Sequence, residues 1–220
     1  KQGAEFQVNT YTIDHQMRPH VAATEEGFVV VWQSGHGTPG GDSAFAQRFA
    51  HDGTPLGTEF QANQAFGNLK FPRVGTLKNG FFVFWTAQSG IYGQRYATDG
   101  TALGNSFKIS TIYDGGSRID NPRFSQLPDG FVVTYKGPES TTAGIFAQLF
   151  DNDANPVGSE IRVNTPPAHK YSPDVCRVGN DRFVIVYEQN HKDADSTGVF
   201  GQLFSNDGTP VGVEFQINKN

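Results

Sequence analysis

The chain has 220 residues, 36% apolar and 13% aromatic, enough to bury a core in one domain or two small ones and too much for a disordered chain. A net charge of −5, a pI near 5.6 and the lack of any block of Lys or Arg argue against nucleic-acid binding. The longest apolar run, Phe81 to Trp85, excludes a membrane-spanning helix, and the single cysteine, Cys176, excludes an internal disulfide or a multi-cysteine zinc site.

In chain order, the first element is Glu5-Phe6-Gln7-Val8-Asn9, followed by a long connection from Thr10 to Arg18. Pro19 to Ala23 reads as a strand opened by its proline and closed by the Glu25-Glu26-Gly27 turn. Phe28 to Trp32 is apolar at every position, as expected of a strand covered on both faces. Phe45 to Phe49 alternates Phe, Gln and Phe with Ala and Arg, a third strand. His51 to Gly57 carries the Asp-Gly pair of a tight turn, and Glu59 to Asn63 is the fourth strand. No apolar stripe at helical spacing occurs, so no helix longer than a turn is expected.

The rest of the chain repeats this unit. The Glu-Phe-Gln element returns with its second residue at 6, 60, 107, 161 and 215, the prolines stand at 19, 72, 122 and 173, and the apolar strand recurs at Gly80, Gly130 and Arg182. Four copies, approximately 10–63, 64–110, 111–164 and 165–218, are preceded by a surplus strand at 5–9. Four-stranded units with a period near fifty residues predict an all-β, four-bladed β-propeller filling residues 1–220 as a single domain, with the proline-led strands innermost. The residues three past each proline, Ala22, Gly75, Ser125 and Cys176, are small, so Cys176 is expected to be a small buried hydrophobe in a crowded centre. The surplus strand leaves several outcomes open: a fifth strand, an edge cap, a joint to another molecule, or a longer array.

The strings Gly-Phe-Val-Val-Val-Trp, Phe-Ala-Gln-Arg-Phe and Asp-Gly-Thr-Pro-Leu-Gly-Thr-Glu-Phe-Gln of the first copy, with their variants in the other three, resemble the tandem propeller-type repeats of large secreted bacterial proteins described as adhesin-like or as calcium-binding haemolysin-type. The resemblance implies a secreted or cell-surface protein and prompts a search for calcium. It implies no chemistry at any residue, because fold does not license function.

The invariant glutamines Gln47, Gln94, Gln148 and Gln202 read either as repeated ligand contacts or as amides tying backbone within each blade, and their interior position favours the second. Trp32, Trp85, Tyr135 and Tyr187 read as sugar platforms or as blade core, and closing an apolar run favours core. His20, Arg73, Arg123 and Asp174, each following a repeat proline, are expected at one mouth of the central channel, holding an anion or neutralising one another. The long connections carry Tyr11 and His15, then Phe66, then Tyr113 and Arg118, then His169 and Tyr171: an aromatic with a polar neighbour suits a shallow carbohydrate pocket, and equally suits packing of the connection onto its blade. Asp193, Asp195 and Thr197 alternate oxygen side chains before Gly198, a possible calcium loop, although Phe204 at the twelfth place departs from an EF-hand.

No nucleophile elbow, P-loop or dinucleotide fingerprint is present, and no carboxylate pair is marked by position. The reading is therefore a non-enzymatic, lectin-like propeller binding carbohydrate or a glycoconjugate through loops on one face. A structural or adhesive protein assembling through its terminal edge strands, and so a possible homo-oligomer, stands second; a propeller glycoside hydrolase or lyase stands third. No nucleic-acid partner, no membrane insertion and no cofactor other than a possible calcium are expected. No apolar segment follows Lys1, so a secretion signal is expected to have been removed or never to have existed.

Overall fold

The computed structural model of the protein describes residues 3–38, 41–64, 68–87, 90–111, 120–138, 143–164, 169–190 and 197–218. Among them the chain forms sixteen strands in four antiparallel sheets. Blade 1 contains β1 (Gln16–Thr24), β2 (Gly27–Thr38), β3 (Gly41–Ala50) and β4 (Pro55–Gln61), and blade 2 contains β5 (Lys70–Leu77), β6 (Gly80–Ala87), β7 (Gly90–Tyr96) and β8 (Ala102–Lys108). Blade 3 contains β9 (Asp120–Leu127), β10 (Gly130–Pro138), β11 (Ala143–Asp151) and β12 (Pro156–Arg162), and blade 4 contains β13 (Lys170–Val178), β14 (Arg182–Asn190), β15 (Thr197–Ser205) and β16 (Pro210–Gln216). In each sheet the strands lie in sequence order, and the fold class is the four-bladed β-propeller expected from the repeat. The chain divides into two compact units, Lys1–Gln88 with Gln94–Ser106 and Ser89–Gly93 with Phe107–Asn220. In the first unit β1 packs beside β5, and in the second β9 packs beside β13, so within each unit the proline-led strands are neighbours.

The prolines do not open these strands. β1, β5 and β13 begin before Pro19, Pro72 and Pro173, and the pairing register slips between Met17 and His20, Lys70 and Arg73, and Tyr171 and Asp174. A proline has no N–H for a ladder, so it is tolerated where a bulge has already interrupted the pairing. The strand boundary moved because the bulge, invisible in hydropathy, lets the ladder resume on the far side.

The second strands supply the core. Val29, Val31, Phe82, Phe84, Val132 and Phe131 are almost fully buried, and so are Trp32, Trp85, Tyr135 and Tyr187 at the strand ends. Burial pushes the hydroxyls of Tyr135 and Tyr187 well above the ordinary tyrosine range, with the neighbouring Glu160 and Glu214 adding to the shift. In the second unit Val132, Ile145, Leu149, Phe183, Ile185 and Phe204 form one continuous cluster across blades 3 and 4.

The invariant glutamines lock each blade. The β3–β4, β11–β12 and β15–β16 registers each skip one residue of the third strand, Gln47, Gln148 or Gln202, opposite three of the fourth. Each Nε2 donates to the carbonyl of the next residue and across the gap to the fourth strand: Gln47 to Gly57, Gln148 to Val157 and Gly158, Gln202 to Val211 and Gly212. Gln94 does the same to Leu103 and Gly104. The amide replaces the ladder bond that the bulge removes. A second lock follows each fourth strand, where Asn63, Asn164 and Asn218 Oδ1 and Ser110 Oγ accept the N–H of Ala44, Ile145, Val199 and Ile91.

One expectation is corrected here, and one that was left open is narrowed. Cys176 is exposed, not a buried space-filler, because only alternate residues of β13 face the core and Val175, not Cys176, is one of them. The surplus copy at Glu5–Asn9 joins none of the four sheets.

Candidate functional site

In three of the first strands the bulge places the residue before the proline in the left-handed region, with φ of 55° at Arg18, 54° at Phe71 and 48° at Ser172. A bulky side chain there is strained, and a bulge with strain re-aims a side chain out of the ladder. In blade 1 it turns Arg18 over the Phe71 ring, 4.4 Å from its centroid, and toward Gln33, whose Oε1 accepts from Arg18 at 2.7 Å. Gln33 is buried, and its Nε2 donates to Asp42 Oδ2 at 2.5 Å. Both ends of this amide are used, so its orientation is fixed and it holds the Asp42 carboxylate in place.

Asp42 Oδ1 lies 2.6 Å from His15 Nε2, and Asp14 Oδ1 lies 3.0 Å from His15 Nδ1. His15 thus stands between two carboxylates, with its side chain 44% exposed. The hydrogen bond to Asp42 raises the His15 pKa above the ordinary histidine value and outweighs the loss of hydration that opposes it, and the charges of Asp42 and Asp14 add to the rise. Gly35 makes room for the arrangement: its N–H donates to His15 O at 3.2 Å, and a Cβ there would meet Asp14 Oδ2 at 2.7 Å and His15 Cε1 at 3.0 Å.

An aromatic row adjoins the charged cluster. His36, next in sequence to Gly35, stacks on Tyr11 at 3.8 Å and 17° and on Phe45 at 5.2 Å, and Phe45 stacks on Trp32. Trp32 Nε1 donates to Gln16 Oε1 at 3.0 Å, which closes the row against β1. Tyr11 is its half-buried outer member. An acidic, proton-carrying group beside an aromatic face is a combination suited to a pyranose or furanose ring.

The other sequence candidates are placed within each unit. His20 Nδ1 accepts the Val74 N–H at 3.3 Å, Arg73 bonds the Pro72 carbonyl, and Arg123 lies 3.9 Å from Asp174 in the second unit. His169 stacks on Tyr171 at 6.2 Å, and Lys136 Nζ stands 5.0 Å from the Tyr171 centroid. Thr197 Oγ1 donates to Asn190, whereas Phe66, Tyr113, Arg118, Asp193 and Asp195 lie outside the described residues. Among the described residues no group of three or more His, Cys, Asp or Glu side chains is arranged to hold a metal.

Sequence reasoning named Tyr11 and His15 but missed Asp14, Arg18, Gln33 and Asp42. Asp42 stands 27 residues from His15, at the start of β3, and only the Asp14-His15 pair gave a local signal.

No family model matches the chain, and no curated protein matches it. Solved structures do. The endo-arabinase of Bacteroides thetaiotaomicron VPI-5482 aligns over 98% of this chain and 85% of its own, with a TM-score of 0.54 at 10% identity. A thermostable family-43 glycoside hydrolase aligns over 94% and 73%, also at 0.54, with 13% identity. The catalytic domain of the Coprinopsis cinerea GH62 α-L-arabinofuranosidase aligns over 93% and 69%, at 0.54 and 8% identity. At such identities the likeness is one of fold. It nevertheless corrects the expectation of a non-enzymatic lectin-like module: glycoside hydrolases carry their chemistry on this scaffold. The missing nucleophile elbow and P-loop were therefore no ground for excluding an enzyme, because a site assembled from blade rims has no local motif.

Proposed function

We propose that the chain is a glycoside hydrolase acting on an arabinose-containing polysaccharide, with its working groups at the blade 1 rim. The observation that carries this reading is His15, solvent-accessible and held between Asp14 and Asp42 beside the Tyr11–His36 stack. The fold shared with an arabinase and an arabinofuranosidase supports the substrate class. A secreted or cell-surface location goes with a polymeric substrate.

In this reading the His15 imidazolium gives its proton to the leaving glycosidic oxygen as the C–O bond breaks. A water bonds to the anomeric carbon from the face opposite the leaving oxygen and gives its proton to solvent; Asp14, 3.0 Å from His15 Nδ1 and therefore on the acid's own side, orients the imidazole. Asp42 too is a positioning residue: it fixes the ring and keeps it protonated to higher pH. Tyr11 offers a face for the sugar.

Release of reducing ends from arabinan and arabinoxylan tests the proposal. His15→Gln is expected to lose on the order of 10²–10⁴ in kcat, and Asp14→Asn, which leaves the acid in place, to lose less. Activity that needs the imidazolium is present below the His15 pKa and fades as pH rises through it. Asp42→Asn removes the partner that raises that pKa, so the alkaline limb moves to lower pH. A wild-type chain inactive on both polymers, or variants as active as wild type, would overturn the reading.

A further inference from the structure

The turns that follow the third strands of blades 2 and 4 have one structure. Gly100 and Gly208 both have φ of 87°, and their N–H groups donate to the carbonyls of Ala97 and Ser205 at 3.0 and 2.9 Å. Asp99 and Asp207 accept the N–H of Thr101 and Thr209. Within its own unit each turn is met by a third-strand side chain of the preceding blade. In the first unit that side chain is Arg48, with Cδ and Nη1 3.2 and 3.7 Å from where a Cβ on Gly100 would stand. In the second it is Leu149, with Cδ1 2.9 Å from such a Cβ on Gly208. The two positions are equivalent, since Arg48 pairs with Leu56 as Leu149 pairs with Val157, just past the glutamine bulge.

Arg48 fills its junction. Its Nη2 donates to Glu26 Oε2 at 2.9 Å, in the turn between β1 and β2, and its Nη1 donates to the Asp99 carbonyl. Only 15% of the side chain is exposed. Leu149 is shorter, carries no donor and can bridge no such pair. The second junction accordingly keeps a hollow of ≈ 360 Å³, lined by Leu127, Leu149 and Val157 and by Asp129, Asn206 and Asp207. Asp129 is the counterpart of Glu26: each precedes a glycine, Gly27 or Gly130, where a Cβ would strike the carbonyl of Phe49 or Phe150. Among the described residues Asp129 has no hydrogen-bond or ion-pair partner, and Asn206 Oδ1 is buried without a donor. The acceptors that hold the Arg48 guanidinium are thus repeated in the second unit around an empty apolar space.

We propose that this hollow between blades 3 and 4 is a binding site for an alkylguanidinium, the group an arginine side chain carries. The aliphatic stem covers Leu127, Leu149 and Val157, and the planar head gives its N–H groups to the Asp129 carboxylate and to the Asp207 turn. Arg48 shows the fit, because the same two turns in the first unit are bridged by that group. A lysine ammonium is a compact point charge and lacks the fork that reaches two acceptors at once. The inference is independent of the glycan reading.

Titration of the isotope-labelled chain with n-butylguanidinium, followed by amide resonances, tests it. Shifts are expected at Asp129, Gly130, Asp207 and Gly208. The neutral isostere n-butylurea should bind about tenfold more weakly. Asp129→Asn, at an exposed position, should weaken n-butylguanidinium about fivefold with the melting point unchanged. Arg48→Leu copies the second junction into the first and should gain a second set of shifts, at Glu26 and Gly100. A short glycine peptide with one central arginine tells the source: tighter binding than n-butylguanidinium assigns the site to a polypeptide arginine, weaker binding to a small guanidinium, and either supports it. No shift at the four amides, n-butylurea binding as well as the cation, or Asp129→Asn binding as wild type does would overturn the proposal.

Discussion

The rims of blades 1 and 4 share one backbone and carry opposite chemistry. His15 and His169 each accept a backbone bond through their carbonyls, from Gly35 at 3.2 Å and Asn190 at 3.1 Å, and both are followed by a proline bulge with a left-handed residue. At blade 1 the imidazole is gripped by Asp14 and Asp42. At blade 4 the imidazole stacks on Tyr171, which faces Lys136, and Lys170 is buried with its amine donating to Gln189. Gln16 stands in that place in blade 1 and takes the Trp32 indole instead. The glutamine and asparagine locks that carry the rims recur almost unchanged. A repeat can thus vary charge at its rims, because the glutamine and asparagine bonds that lock its third and fourth strands run through interior side chains.

The largest test of that division lies in the frame. Phe131, fully buried and stacked on Phe150 at 5.0 Å, should cost about 3–5 kcal/mol when cut to Ala. His15→Gln, at the exposed rim, should change unfolding by no more than about 0.5 kcal/mol. Urea denaturation compares them directly, and a His15 variant as destabilised as the Phe131 variant would break the division.

Next in size is a transplant between the rims. Gly35→Asn puts the blade 4 residue into blade 1, where its Cβ would meet Asp14 Oδ2 at 2.7 Å. The Asp14 carboxylate must move, and a shift of that kind should lower kcat on the order of 10²-fold if Asp14 acts in hydrolysis. The His15 titration, followed by its ring proton resonances, should fall toward the ordinary histidine value as the grip loosens. An unmoved titration would show that Gly35 does not shape the site.

Smaller again is the loss of one lock. Gln148→Ala leaves the carbonyls of Leu149, Val157 and Gly158 without their donor, at a cost of about 1–3 kcal/mol. The Gln202 variant should cost a similar amount, because the locking bonds are the same. Unequal costs would mean that the blades are equivalent in sequence but not in energy.

What could be read from sequence follows the same line between frame and rim. The glutamines were legible because four identical residues at one register position satisfy a need of the backbone, which every blade shares. The aromatic ends of the second strands were legible because an apolar run must be covered. The bulge at each proline was not, since it leaves no mark in hydropathy. Cys176 was misplaced because small size was taken for burial, whereas strand alternation puts it on the exposed side. The grip on His15 was half legible: Asp14 is its neighbour, but Asp42 reaches it only through the β2–β3 hairpin and Gln33. The absence of a local motif carried no weight against catalysis for the same reason, as a rim site draws its residues from separate strands.

The smallest effect separates the turns themselves. Asp52, Asp99 and Asp207 accept the N–H of Thr54, Thr101 and Thr209 at 2.9, 2.8 and 2.9 Å. Those bonds, led at Asp207 by the Ser205 hydroxyl, hold all three carboxyls below the usual aspartate range. A carboxyl with a lowered folded pKa binds its proton more tightly in the unfolded chain. Its contribution to stability is therefore complete above the unfolded value, near about 3.9, and is lost as pH falls through the folded value. Replacing all three by Asn keeps the acceptor for the turn but removes the titration. The variant should fall slightly below wild type at neutral pH and lose less stability on acidification, so that the two converge in acid, by a small margin because the groups are fully exposed. Blade 3 builds its turn differently, with Asp151 accepting from Asp153 and Asn155. An acid limb that is unchanged in the triple variant would mean that these turns hold by backbone geometry alone.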